Sequence, residues 1–402
     1  ITKRNRIIAM RKLYQSFLVF LQKPFLTDYR TLFALWMLLP VIATLTKFKS
    51  YNNFLIFRYV FWHTIDHTSL YTSYEQYYDT NHYGPFFSLV IAPFAIFPEY
   101  FGLLLWEIAL ALALFYSIRK LPLSDKKLIF IYWFCAHELL TALFMSQFNI
   151  AIAAIILVTF YCIEKEKDIW AAFWIMFGTF VKLYGVVGLA FFFFSKHKGK
   201  FIFYLFVWAI VMFIAPMVIS SPDYIISQYW EWWESLISKN ADNAFAYSQN
   251  ISLLGMVRKI SQCTSYSDLL IIIPGLFILG LPYLRFKQFK YKAFRFTLLA
   301  SVMMFVVLFS TGSESSTYII PFVGVAIWYI VAPWKLSKWD IALMVFAFIL
   351  TSMSPSDLFP SFIRKQYVVP YALKALPCVL IWFKLSYEMC RNDYSPQSVI
   401  NE

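Results

Sequence analysis

Long apolar runs, separated by short polar or basic stretches, recur from one end of the chain to the other. They fall at residues 32–46, 85–97, 101–118, 128–145, 150–162, 169–194, 201–219, 269–284, 296–309, 318–331, 341–351 and 371–383. A helix needs about 17–25 mainly apolar residues to cross a bilayer. Several of these runs fall short, so tilted, broken or re-entrant pieces are predicted among them; irregular backbone at that depth survives only where protein or a cavity satisfies it. Pro93 and Pro98 mark one such place. Gly178, Lys182 and Gly185 mark another and predict that 169–194 is a broken hairpin. The pattern predicts an all-α fold, a polytopic transmembrane bundle of about 10–13 membrane segments. It reads as one integral domain over 1–402, with a cytoplasmic arm at 1–30, external loops at 48–84 and 220–267, and a cytoplasmic tail at 385–402.

Residues 51–97 break the apolar pattern differently. Three His, three carboxylates and one Arg lie there among Tyr, Phe and Trp, and the stretch closes on Tyr83-Gly84-Pro85. Such a mixture suits interfacial helices lying on a membrane surface and roofing a cavity.

Composition narrows the class. The chain is 60% hydrophobic and 14% charged, against about 25% charged for a soluble domain. The net charge of +13 does not point to nucleic acid, because the basic residues follow the loops of one face. With a cytoplasmic amino terminus, that face collects Arg119-Lys120, Lys126-Lys127, Lys196-His197-Lys198 and the cluster from Arg285 to Arg295, as the positive-inside rule requires. The five cysteines form no disulfide framework, no spacing resembles a metal site, and no cofactor is expected.

The same topology gathers polar, non-basic pieces on the external side: 51–85, Ser146-Gln147-Phe148-Asn149, Lys182-Leu183-Tyr184, 220–267 and Gly312-Ser313-Glu314-Ser315-Ser316. Asn52, Asn53, Asp66, Glu75 and Asp79 in the first loop either position and deprotonate a sugar hydroxyl or serve as turn and cap residues. Lys182, inside an apolar run, either holds a lipid phosphate or snorkels at the hairpin tip. Arg258-Lys259 binds donor phosphate or lipid headgroups, and Glu314 ligates substrate or caps a helix. Trp230-Glu231-Trp232-Trp233-Glu234 reads first as an interfacial aromatic belt. Glu107 and Glu138 read as interhelical hydrogen bonds.

Taken in order, Asn53-Phe54 with Leu70-Tyr71, His82-Tyr83-Gly84-Pro85 with Ala92-Pro93-Phe94, Gln147-Phe148-Asn149, Lys182-Leu183-Tyr184, Gln249-Asn250-Ile251-Ser252-Leu253 and Ser313-Glu314-Ser315-Ser316-Thr317-Tyr318 resemble the integral-membrane C-type glycosyltransferases, and within them glycosyltransferase family 87. That group includes polyprenol-phosphate-mannose-dependent mannosyltransferases. The resemblance implies membrane helices with surface helices in the first external loop. It also implies an external site that uses a polyprenyl-phosphate sugar in an inverting displacement.

One departure stands out. The family's presumed catalytic Asp, early in the first external loop, is replaced by Asn53 or Asn52, and an amide is no base. The role then falls to Asp66, Asp79 or Glu314, in that order of preference, with His63 and His82 also in reach. Lys182, Arg258 and Arg58 are the expected donor-phosphate ligands, supplying counter-charge in place of a metal. Asn52, His82, Tyr83, Gln147, Asn149, Tyr184, Gln249, Asn250 and Ser313 are the expected substrate contacts. The expected activity is hexosyl transfer, of mannose or another hexose, from a polyprenyl-phosphate donor to a glycolipid or envelope-glycan acceptor. The site would lie on the external, periplasmic side of the plasma (inner) membrane. A transporter or flippase of lipid-linked sugar, or a glycan polymerase or ligase, is the alternative.

Overall fold

The structure, a computed structural model, describes residues 23–47, 50–243, 246, 249–263 and 265–395. Most of the expected arm at 1–30 and the end of the tail at 385–402 lie outside the described residues. The described chain is all-helical, without a strand.

In order the main helices are α1 (Tyr29–Thr46), α2 (Asn52–Ile65), α3 (Phe87–Ala95), α4 (Glu99–Arg119), α5 (Asp125–Leu143), α6 (Asn149–Glu164) and α7 (Asp168–Val181). A 3-10 helix, α8 (Leu183–Phe194), follows, then α9 (Lys198–Ile214), α10 (Pro222–Asn243), α11 (Leu253–Ser261), α12 (Leu269–Gly280), α13 (Lys292–Leu308), α14 (Ile319–Val331), α15 (Lys338–Phe346) and α16 (Leu376–Arg391).

Three helices among the described residues are long and apolar enough to cross a membrane alone: α1, α4, and α9 with its continuation to Val218. A fourth arises if Ser361–Val368 and Leu373–Arg391, bent by 96°, form one span. Asn149–Glu164, Asp168–Val181, Leu183–Phe194, Leu269–Leu284 and Ser315–Val331 are apolar but shorter. The predicted segments are thus present as helices, and many of them are too short to span alone.

Burial sorts them. Helix α6 is buried over nearly its whole circumference, as are α13 and α14, as expected for helices apolar all round. They form the core with α4 and α7 packed outside. Helix α9 is the opposite: Phe203, Phe206 and Ile210 are exposed, and α12 likewise turns Leu270, Ile273 and Phe277 outward. Apolar faces of that extent belong against lipid.

The broken hairpin is real. Lys182 adopts an extended conformation (φ −147°, ψ 124°) between α7 and α8. Its two arms touch at their glycines: a Cβ on Gly178 would stand 2.9 Å from the Gly185 Cα, and a Cβ on Gly185 would collide with the Gly178 backbone. Only hydrogen at both positions lets the arms close and drives Lys182 to the tip.

Contacts separate the two ends of the bundle. At one end Arg295 grips Glu164 through two bonds of 2.5 and 2.8 Å, Lys196 pairs with Glu166 at 2.6 Å, and Arg119 pairs with Asp125 at 3.1 Å. The opposite ends of the same helices carry the polar loops 144–149, 182–184 and 310–318. The first polar stretch contributes one interfacial-type helix, α2, followed by turns, rather than a series of short helices.

Candidate active site

The polar loops converge on a cavity of about 660 Å³. One wall comes from α2 and the turns after it: Asn52, Asn53, Ile56, Phe57 and Tyr78 through Tyr83. Asn52 clamps the Tyr78 backbone, accepting from its N–H at 3.0 Å and donating to its carbonyl at 2.6 Å. Asn53 donates to the Met145 carbonyl at 2.7 Å, which ties α2 to the end of α5. Asp79 lies at positive φ (71°), a conformation tolerated by Asp and enriched at functional sites.

Behind this wall, Tyr83-Gly84-Pro85 is stitched to the hairpin tip. Gly84 N–H donates to the Val181 carbonyl at 3.1 Å, and a Cβ there would collide with the Phe180 carbonyl. Trp232 Nε1 donates to the His82 carbonyl at 2.9 Å. The tryptophan cluster therefore divides: Trp232 is buried and locks the loop, while Trp230 and Trp233 stay exposed on α10.

The hairpin tip supplies a cation. Lys182 Nζ donates to Asn149 Oδ1 at 2.7 Å and lies 4.8 and 5.5 Å from the Tyr184 and Tyr83 ring centres. An ammonium at membrane depth is costly unless paired or solvated by a cavity, and this one lines the cavity. Asn149 passes the contact on, donating to Gln147 Oε1 at 2.7 Å, and Gln147 Nε2 donates to Glu314 Oε2 at 2.9 Å. The chain Lys182–Asn149–Gln147–Glu314 thus joins a cation to a carboxylate through two amides. Glu314 is also the N-terminal cap of the 3-10 turn Ser315–Tyr318, in a reciprocal box with Thr317. Capping fixes the carboxylate without removing it from the cavity.

The third wall is the end of α10, with Leu236, Lys239, Asn240 and Asn243, facing Ser310, Thr311 and Gly312. Lys239 Nζ is 3.3 Å from Asp79 Oδ2, and Thr311 donates to Asn240. His82 Nε2 stands 3.8 Å from Asp79 Oδ1. His82 first, then the Thr80 amide and Lys239, hold the Asp79 carboxyl well below the usual carboxylate range, against the opposing effect of burial. A second, smaller cavity of about 380 Å³ shares Asp79, Thr80, His82 and Lys239 and is otherwise lined by Ser69, Tyr71, Thr72, Glu231, Glu234, Ser235, Ser238 and Asp242.

The cavity brings together Asn52, Asn53, Asp79, His82, Tyr83, Gln147, Lys182, Tyr184, Gln249 and Glu314. Other expected residues lie outside its lining. Asp66 is exposed at the C-terminal end of α2. Arg58 lies on α2 but is not part of the wall. Arg258 is buried against Asp268, 2.5 Å away, over the Tyr266 ring. Asn149 is fully buried and anchors Lys182 from behind. Asn250 accepts from Ser252 Oγ at 2.7 Å, and Ser313 Oγ donates to the Val307 carbonyl at 2.5 Å. These last two shape loops behind the wall. Sequence reasoning missed Lys239, Asn240, Asn243 and Thr311. The first three stand on one helical face at i, i+1 and i+4, a spacing that was visible but looks like any solvated helix end.

No curated protein matches the chain. The family model of glycosyltransferase family 87 matches residues 81–311. That match runs from the His82-Tyr83-Gly84-Pro85 turn through the hairpin and α10 to Thr311, more than half of the sequence, and the chain belongs to glycosyltransferase family 87.

Proposed function

We propose that this membrane glycosyltransferase moves a hexose from a polyprenyl-phosphate donor to a glycolipid or glycan acceptor, with inversion, at the external face of the plasma membrane. The observation that carries this reading is the amphipathic cavity built around Lys182 and Glu314. Ile56, Phe57, Phe144, Met145, Leu183 and Leu236 line it alongside the polar groups, a mixture suited to a lipid-borne sugar. A nucleotide sugar would be confined to the other side of the membrane, so a site opposite the basic end needs a donor carried in the bilayer.

In the proposed reaction Lys182 pairs with the donor phosphate. A phosphate leaving group is already anionic and needs counter-charge more than a proton. The acceptor hydroxyl attacks the anomeric carbon from the opposite side. The new C–O bond forms as the bond to phosphate breaks, lipid phosphate departs with the electron pair, and the hydroxyl proton passes to Glu314. An ionised carboxylate has about four lone-pair sites, so Glu314 can hold Gln147 and still accept from substrate. Glu314 is preferred over Asp79 because Asp79 is bound to Lys239 and held strongly acidic, which makes it a weak base. Asp79, His82 and Lys239 instead orient substrate hydroxyls. Asn53, at the place of the family's acid, contributes a carboxamide oxygen as a hydrogen-bond acceptor.

The test is incubation of purified protein with radiolabelled polyprenyl-phosphate hexoses and a membrane lipid extract, with products separated by chromatography. The reading expects a labelled product from at least one such donor. Label that stays on the donor with every hexose, while nucleotide sugars are consumed, overturns it.

A further inference from the structure

The chain beyond α14 returns to the site from outside the family-matched region. Ser361–Val368 and Leu373–Arg391 meet at 96°, and Ala372 makes the turn at positive φ (54°). Two residues later Lys374 points into the bundle, 3% exposed. Its Nζ donates to Glu138 Oε1 of α5 at 2.8 Å and to both the carbonyl and the hydroxyl oxygen of Ser315 at 3.0 Å. It also lies 5.1 Å from the Tyr318 ring centre. Its own carbonyl accepts from Thr351 at 2.9 Å, within the π-helical stretch Ala347–Met353.

An ammonium has three N–H donors, and three acceptors surround this one. Stability alone does not account for such a pair, because a buried ion pair replaced by apolar or neutral groups is often no less stable. What distinguishes Lys374 is its partner. Ser315 lies in the loop whose Glu314, Ser315 and Ser316 line the cavity, and Glu138 lies on the helix that leads to Gln147. The ammonium bridges the two sides from which the Gln147–Glu314 contact is made.

We infer that Lys374 is a positioning residue for glycosyl transfer: paired with Glu138, it sets how far the 313–318 loop presents its polar groups into the cavity. The inference rests on the cavity being the transfer site. A displacement of about 1 Å at a reacting group can cost about a hundredfold in rate, whereas Lys182 is held at the hairpin tip by the close approach of Gly178 and Gly185 and meets this loop only indirectly, through Asn149.

The experiment compares wild type, the double variant Glu138→Gln/Lys374→Met, Ser315→Ala and Glu314→Gln in lipid nanodiscs. Melting temperature, affinity for the labelled polyprenyl-phosphate hexose and single-turnover transfer at saturating donor are read on each. The double variant leaves no unpaired charge. It is expected to keep wild-type melting and donor affinity while transfer slows by about a hundredfold. Ser315→Ala is expected to slow transfer several-fold with the same split. A folded double variant that transfers at the wild-type rate overturns the inference. So does a rate that falls only in proportion to lost folded protein, or an unfolded double variant together with a Ser315→Ala protein of wild-type rate. Glu314→Gln reports separately: if it alone retains full rate, the assignment of the base fails, whatever the Lys374 variants do.

Discussion

Lys182 and Glu314 illustrate how much a single side chain's neighbours decide. Among the described residues Lys182 has one hydrogen-bond partner, the neutral Asn149, so an anion in the cavity would be its first direct counter-charge. Lys182→Met is expected to weaken binding of the polyprenyl-phosphate donor by about 1.5–3 kcal/mol, the worth of a charge-assisted hydrogen bond. Equilibrium binding in nanodiscs checks this, and unchanged affinity refutes it. Glu314→Gln should reduce single-turnover transfer by about 10²–10⁴-fold, the usual contribution of a positioned base. Asp66→Asn should change it little, because Asp66 lies exposed outside the cavity.

Asp79 makes a pH statement with a definite sign. Its carboxyl is held below the ordinary carboxylate range, so it stays ionised above about pH 4, and the stabilisation from its pairing is lost only as pH falls further. Any acid limb in the rate at higher pH must then come from another group. Asp79→Asn should lower the plateau without moving that limb, and a shifted midpoint in the pH profile would contradict the assignment.

At the scale of elements, the hairpin α7–α8 makes the site possible. Gly178 and Gly185 meet where Cβ atoms do not fit, and the closure leaves Lys182 extended at the tip. Gly185→Ala must push the arms apart. It is expected to cost at least about 1–3 kcal/mol, as overpacking does, and to lower donor affinity as well by shifting Lys182. A variant with unchanged thermal stability and affinity would show that the arms have room. This hairpin was legible in the sequence, since a lysine and two glycines interrupting an apolar run leave few alternatives. So were the loops at 146–149 and 312–316, where polar residues cannot be left in lipid.

The partition of roles inside those loops was not legible. Asn149, Asn250 and Ser313 are as polar as Gln147 and Glu314, yet they spend their hydrogen bonds behind the wall. Arg258 sits among the polar residues that follow Gln249, but Asp268, ten residues later, neutralises it. Which polar group faces the cavity depends on helix rotation and on partners distant in sequence. Lys239 on α10 reaching Asp79 is one such pairing, and Lys374 reaching Ser315 is another; neither has a local pattern.

For the whole molecule, the basic clusters around Arg119, Lys196 and Arg295 lie at one end of the bundle and the cavity at the other. Two native cysteines report which end faces outward. Cys390 is exposed near Arg285, which donates to the Met389 carbonyl at 2.8 Å at the basic end. Cys263 is partly exposed after α11, and the Ser265 hydroxyl pulls its thiol below the ordinary value, which favours the reactive thiolate. A membrane-impermeant maleimide should label Cys263 on intact cells stripped of outer barriers, and Cys390 only after permeabilisation. The reverse order would place the cavity inside and remove the case for a lipid-carried donor.

The central claim is that one cavity binds a lipid-phosphate sugar through Lys182 and activates the acceptor through Glu314. The most direct measurement follows donor affinity and single-turnover transfer on the same nanodisc samples of wild type, Lys182→Met and Glu314→Gln, with radiolabelled polyprenyl-phosphate hexose. The account predicts that Lys182→Met loses affinity, whereas Glu314→Gln keeps the donor bound and transfers it about 10²–10⁴-fold more slowly. Wild-type binding in the first variant together with wild-type turnover in the second would contradict it.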